Sequence, residues 1–241
     1  MDSELLQRRV RGLDLGGDVV TTRQGESRKY QAAGPKAEFE PGSRGRVLRN
    51  LLGITRVRDM KLAESQALLL AQEHAVESYS EDHRFTAADI CNLHRHWLAP
   101  VYAWAGEYRN VNMGKGGFQF AHAPLVPGLM AELERGPLAR HTPCRPAPDA
   151  QLAIALAEVH AELILVHPFR EGNGRIARLL AVLMGLQAGL PPLDFSPLEG
   201  RGKARYIAGI HAALDCNYTP LAETFLRVIA RTWKRAASSS R

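Results

Sequence analysis

Cysteine is scarce in this chain of 241 residues. Cys91, Cys144 and Cys216 are far apart and odd in number, so they suggest neither a metal pattern nor a disulfide framework, and a reducing compartment is expected. Long apolar runs are also missing: no stretch approaches the ~20 residues that cross a bilayer, and the N-terminus lacks the apolar core of a signal peptide. The expected location is cytoplasmic, with translocation into another cell left open. There is no internal repeat, and no Gly-x-x-x-x-Gly-Lys-Ser/Thr loop offers a rival phosphate site. From Arg227 onward acidic residues are absent, and Arg227, Arg231, Lys234, Arg235 and Arg241 supply five of the six net positive charges. The remainder of the chain is nearly neutral, so the excess reads as a basic closing helix favoured by its own dipole, which argues against a nucleic-acid surface.

What is present suits a globular protein with ample length for a core: 45% of residues are hydrophobic and 23% charged. Residues 1–45, with Pro35, Pro41 and no sustained period, read as an extension that is poorly ordered or loosely packed. A domain is expected over 46–236, followed by a frayed tail over 237–241. Within it, helical spacing of apolar residues predicts helices from Asp59 to about Glu77, from an N-cap at Thr86 through Leu98, and from Pro124 to Leu138. Further helices are predicted from Asp149 to Val166, over Ile176–Leu186, over Arg205–Leu214 and from Thr219 to about Arg235. His94 and His96, two apart on a helix, point different ways and read as structural or surface residues. One β signal stands out: alternation over Tyr108–Met113 and Phe118–Ala121 around Gly114–Gly117 predicts a hairpin. The fold class is therefore all-α with a single hairpin.

The organising stretch is His167-Pro168-Phe169-Arg170-Glu171-Gly172-Asn173-Gly174-Arg175-Ile176-Ala177-Arg178, a glycine-rich turn opening directly onto a helix. Gly172 and Gly174 let the backbone curl with its amides inward, and the first amides of the following helix have no intrahelical acceptor. Together with the helix dipole they form an anion-binding nest. Arg175 and Arg178, three apart, are expected on one face, aimed at one anion such as a polyphosphate. Glu171 beside that anion calls for a divalent cation, and Mg²⁺ is the usual bridge. His167 can accept a proton near neutral pH.

This dodecapeptide resembles the signature of Fic-domain proteins at every defining position. The resemblance implies a Fic-type helical bundle with the hairpin 108–121 as a flap over the active site. It also implies transfer of AMP from ATP to a hydroxyl side chain of a target protein, with release of pyrophosphate. Carried over by position, His167 would be the general base and Phe169 the plug that holds the loop. Glu171 would hold Mg²⁺, Gly172, Asn173 and Gly174 would cradle the α-phosphate, Arg175 would contact the β-phosphate side and Arg178 the γ-phosphate. Lys115 and Gly116 at the hairpin tip would lie near the nucleotide, and Tyr206 would stand for the family's aromatic near the nucleoside. The target would dock by strand addition at the hairpin. Two other readings share the site: a Fic enzyme that uses another nucleotide donor or removes AMP, and a module that binds a phosphorylated ligand without turnover. Many Fic proteins carry an inhibitory helix whose Glu pairs with the second motif arginine. The nearest matches here, Thr22–Ser27 and Thr219–Thr224, both miss the last position. No inhibitory helix is expected, which leaves a separate antitoxin-like inhibitor or unrestrained activity.

Overall fold

The computed structural model describes residues 31–33 and 38–239. In chain order it contains β1 (Gln31–Ala33), α1 (Val57–Ser78), α2 (Ala87–Leu98), β2 (Asn112–Lys115), β3 (Phe118–Gln119) and α3 (Val126–Leu133). A wider turn, Glu134–Leu138, and a helical turn, Ala139–His141, extend α3. Then come α4 (Asp149–Val166), α5 (Asn173–Gln187), α6 (Gly202–Ala212) and α7 (Thr219–Ser239). The expected helices all form, and the described residues make a helical bundle with one small sheet. No helix among the described residues is long and apolar enough to cross a membrane.

Helices α4 and α5 are the centre of the bundle. Ala, Leu, Ile and Val fill most of α4, and Leu152, Leu156, Val159, Leu163 and Val166 are all buried, while Gln151, Ile154, Glu158 and Glu162 line the one face that reaches solvent. It packs chiefly on α7 and α5. In α5, Ile176, Leu179, Leu180, Leu183 and Met184 are buried in turn. The turn that joins these two helices is thus held at both ends by the most deeply buried elements of the fold.

Helix α2 starts where the sequence places it. The Thr86 hydroxyl accepts the Asp89 amide at 3.1 Å while the Asp89 carboxylate accepts the Thr86 amide at 2.9 Å, a reciprocal capping box. Between α1 and β1 the chain is also pinned: Val47 is in the core, Phe39 bridges Leu48, and the Asn50 side chain bonds the carbonyls of Leu48 and Ile54. Helix α7 continues to Ser239, past the residue at which its apolar pattern fades.

The hairpin is shorter than predicted and has gained a strand. Gly116 and Gly117, with φ of 58° and 84°, form the two-residue turn between β2 and β3. Residues 108–111 are outside the ladder because the Arg109 amide donates to the Pro168 carbonyl at 2.8 Å, which ties that segment to the motif turn. The other edge of β2 carries β1, antiparallel, with Gln31 opposite Gly114 and Ala33 opposite Asn112. A segment that the sequence assigns to the extension is therefore part of the sheet.

Candidate active site

Helix α4 ends at Val166, and His167 takes up left-handed backbone angles, φ 52° and ψ 59°, with its amide still donating to the Leu163 carbonyl. A non-glycine residue adopts that region only where its surroundings hold it there. Those surroundings are visible on both sides of the turn. Phe169 is fully buried and stacks on the His94 ring with centroids 3.8 Å apart. The Asn173 side chain bonds both the amide and the carbonyl of Phe169, each at 2.8 Å. Asn173 thus braces the turn with its side chain, which leaves only its backbone to face a ligand.

The two motif glycines differ in what they do. Gly172 has φ of 83°, and a Cβ there would come within 2.5 Å of the Trp97 ring. A Cβ on Gly174 would meet nothing within 4 Å, so the space beside the first turn of α5 is open at that residue. The first amides of a helix have no intrahelical acceptor, and open space beside such a helix start suits an anion.

His167 is buried, and its Nδ1 lies 3.1 Å from the Ile164 carbonyl. A carbonyl only accepts, so Nδ1 carries the proton and Nε2 is the basic nitrogen. Burial pushes the His167 pKa down to about 3; the Ile164 bond and Glu171 oppose the shift, while Arg109 and Lys115 add to it. The imidazole is therefore neutral at physiological pH. Phe120, just past β3, stacks on it with centroids 3.7 Å apart, so the flap covers the ring.

His94 is buried and structural, as its position on α2 suggests. Its Nδ1 accepts the Gly106 amide at 2.8 Å and its Nε2–H donates to the Glu171 carbonyl at 3.1 Å, while burial lowers its pKa to about 4. It holds the backbone of the motif turn from outside. The Glu171 carboxylate accepts the Gly172 amide at 3.0 Å and lies 3.6 Å from Arg175, at the start of α5.

Arg175 reaches toward α1. Its guanidinium meets the buried carboxylate of Glu64 at 2.7 Å and lies 4.4 Å from the centre of the Trp97 ring. The other Glu64 oxygen accepts the Tyr102 hydroxyl at 2.7 Å, and the Trp97 indole N–H donates to the Glu64 carbonyl. Burial first, and the charge of Arg178 second, hold the pKa of His160 down, and His160 Nε2 bonds the Tyr206 hydroxyl at 2.9 Å.

Lys115, the last residue of β2, is close enough to His167 to lower its pKa, and Gly116 follows in the flap turn. The structure thus brings His167, Glu171, Gly172, Gly174, Arg175 and Lys115 around the start of α5, with Tyr206 and Arg178 linked through His160. Of the two inhibitory-helix matches, Thr22–Ser27 lies outside the described residues, and Glu223 of the other is exposed on α7. Glu64, Trp97, Arg109 and Phe120 were not singled out by the sequence. Their only signal is location: each lies in a segment of ordinary pattern, far from the motif in the chain.

The Fic/DOC family model matches residues 84–184. The probable protein adenylyltransferase y4lH of Sinorhizobium fredii is 35% identical over 142 residues, covering 57% of this chain and 69% of that protein. Protein adenylyltransferase fic-1 of Caenorhabditis briggsae is 31% identical over 194 residues, covering 79% of this chain but only 33% of that longer protein. Among solved structures, the fold matches that of the Bartonella tribocorum effector BepC with bound AMPPNP, with a TM-score of 0.61, 22% identity, and coverage of 75% of this chain and 91% of that one. With the signature intact from His167 to Arg178 and a rhizobial relative aligned over more than two thirds of its length, the chain belongs to the Fic/DOC family.

Proposed function

We propose that this chain is a protein adenylyltransferase that moves AMP from ATP to a hydroxyl side chain of a target protein. The observation that carries this reading is a neutral imidazole, with its basic Nε2, beside an open helix-start nest above Gly174. Mere phospholigand binding has no use for a base held neutral. The names of the relatives and the ATP analogue in BepC support the choice of donor.

In this mechanism the target hydroxyl oxygen forms a bond to the α-phosphorus, the bond to the bridging oxygen breaks, and pyrophosphate leaves in line. His167 Nε2 takes the hydroxyl proton. The amides at the start of α5 hold the α-phosphate, and the charges of Arg175, Arg178 and Lys115 offset the developing negative charge. Tyr206, tied to His160, borders the nucleoside. Mg²⁺ suits the Glu171 carboxylate, a hard oxygen donor at the start of α5 whose Oε1 accepts the Gly172 amide. Glu171 would hold such an ion together with phosphate oxygens and water, and the ion would neutralise phosphate charge. An extended target segment would add at the outer edge of β3 or displace β1 from β2, since β1 covers the other edge.

The test is transfer from labelled ATP by wild type and His167→Ala, with ATP binding measured in both. Retained binding with transfer lost is the expected result. Equal labelling by the two proteins discards the assignment.

A further inference from the structure

Arg109 is buried and faces no carboxylate among the described residues. Its donors go entirely to backbone carbonyls, and the set they choose is specific. Nε–H donates to the His167 carbonyl at 2.6 Å, one Nη to Val111 at 2.7 Å, and the other Nη to Ala121 at 2.5 Å and to Val166 at 3.3 Å. The Arg109 backbone amide takes the Pro168 carbonyl at 2.8 Å. One residue thus grips three consecutive carbonyls of the motif turn, at 166, 167 and 168. It also grips one carbonyl at each foot of the flap, at 111 and 121.

We propose that Arg109 is a positioning residue for AMP transfer: it fixes the left-handed turn at His167 to both feet of the flap, setting the distance between the base and a flap-bound hydroxyl. This rests on the reading of His167 as general base. A rigid planar fork suits the task, because two strand feet and a helix end must be held in one register and a flexible ammonium cannot span them. A buried cation without a carboxylate is costly, and burial does lower the Arg109 pKa to about 10. A purely structural strap between three backbone segments needs no charge. The charge has a second effect at the site, because it adds to the field that keeps the His167 imidazole unprotonated, alongside Lys115 from the flap and against Glu171 from the motif. Phe120, on the face of the ring, carries no charge.

The experiment compares full-length wild type, Arg109→Met and Arg109→Lys. It uses NMR titration of the His167 ring, assigned by the signal lost in His167→Ala, and the pH dependence of labelled-AMP transfer from ATP. Circular dichroism and ATP binding check that each protein is folded. Arg109→Met is expected to raise the His167 titration midpoint and to move the acid limb of the transfer profile toward neutral pH. Arg109→Lys, which keeps charge without the fork, is expected to leave the midpoint near that of wild type and to lower kcat at least tenfold with KM for ATP unchanged. An unmoved midpoint in Arg109→Met, or full kcat in a folded Arg109→Lys, overturns the proposal. Should Arg109→Met fail to fold, the kcat-against-KM split in Arg109→Lys decides. Undiminished transfer by His167→Ala would instead sink the general-base reading, an outcome separate from the behaviour of the Arg109 variants.

Discussion

The Arg175 guanidinium and the Glu64 carboxylate, 111 residues apart in the chain, meet at 2.7 Å in the wall of the site. Both are largely withdrawn from water, with side-chain exposures of 14% and 8%. Tyr102 completes the arrangement from the opposite oxygen, and its pKa is driven up by burial first and by the Glu64 charge second. The first turn of α5 is in this way fastened to α1 and to the segment that follows α2.

Breaking that pair from one side takes the nearer carboxylate from a buried guanidinium, with Glu171 at 3.6 Å as the other acidic neighbour. Glu64→Ala is therefore expected to lower unfolding stability by about 3–5 kcal/mol, the usual range for removing one partner of a buried ion pair. Glu64→Gln should cost less, since an amide oxygen can still accept from Tyr102. Denaturant unfolding of the two variants checks this, and a loss below about 1 kcal/mol in Glu64→Ala would place the pair with weak surface bridges.

The two glycines should separate stability from binding. Gly172→Ala sets a Cβ against Trp97 at 2.5 Å and puts a non-glycine residue at φ 83°, so a fall of at least about 1–3 kcal/mol is expected from backbone strain. Gly174→Ala meets no neighbour within 4 Å and should keep its melting temperature within a few degrees while losing ATP affinity in a titration. Unchanged ATP affinity in Gly174→Ala would remove the nest from the nucleotide site.

Acid should destabilise the fold well before its carboxylates are all protonated. Burial depresses the pKa of His94 to about 4, and of His160 and His167 to about 3, from an ordinary 6.5. Between those values and 6.5 the unfolded chain binds protons that the folded chain refuses. Their neutral state therefore contributes full stability above pH 6.5, and each loses up to about 1.4 kcal/mol per pH unit as the pH falls. Asp89, Glu158 and Asp194, whose pKa values are lowered by hydrogen bonds and by neighbouring cations, steepen the loss further down. Unfolding midpoints measured from pH 7 to pH 4 should fall steadily, and His160→Phe should flatten the slope even if its midpoint at pH 7 is lower.

The stack of Phe120 on His167 links the flap to the proposed base through a ring contact. Phe120→Ala should slow AMP transfer by up to roughly tenfold, the equivalent of an aromatic contact of 0.5–1.5 kcal/mol, with little effect on ATP binding. A variant that weakens ATP binding as much as transfer would show that Phe120 serves the nucleotide rather than the base.

Read along the chain, the amino-acid sequence by itself determined the helices α1 to α7, because apolar spacing, the Thr86–Asp89 cap and the prolines after Ala188 act over a few residues. It also determined the dodecapeptide from His167 to Arg178, whose glycines and flanking helices are local chemistry. It did not determine the direction of Arg175, the register of the flap or the role of Arg109. Those follow from Glu64, from β1 and from the carbonyls of Val166, His167 and Pro168, all supplied by segments tens of residues away. A buried charge goes to whichever partner the packing brings near, and a strand ladder yields where a stronger set of backbone acceptors is offered. Only the tertiary structure says which those are.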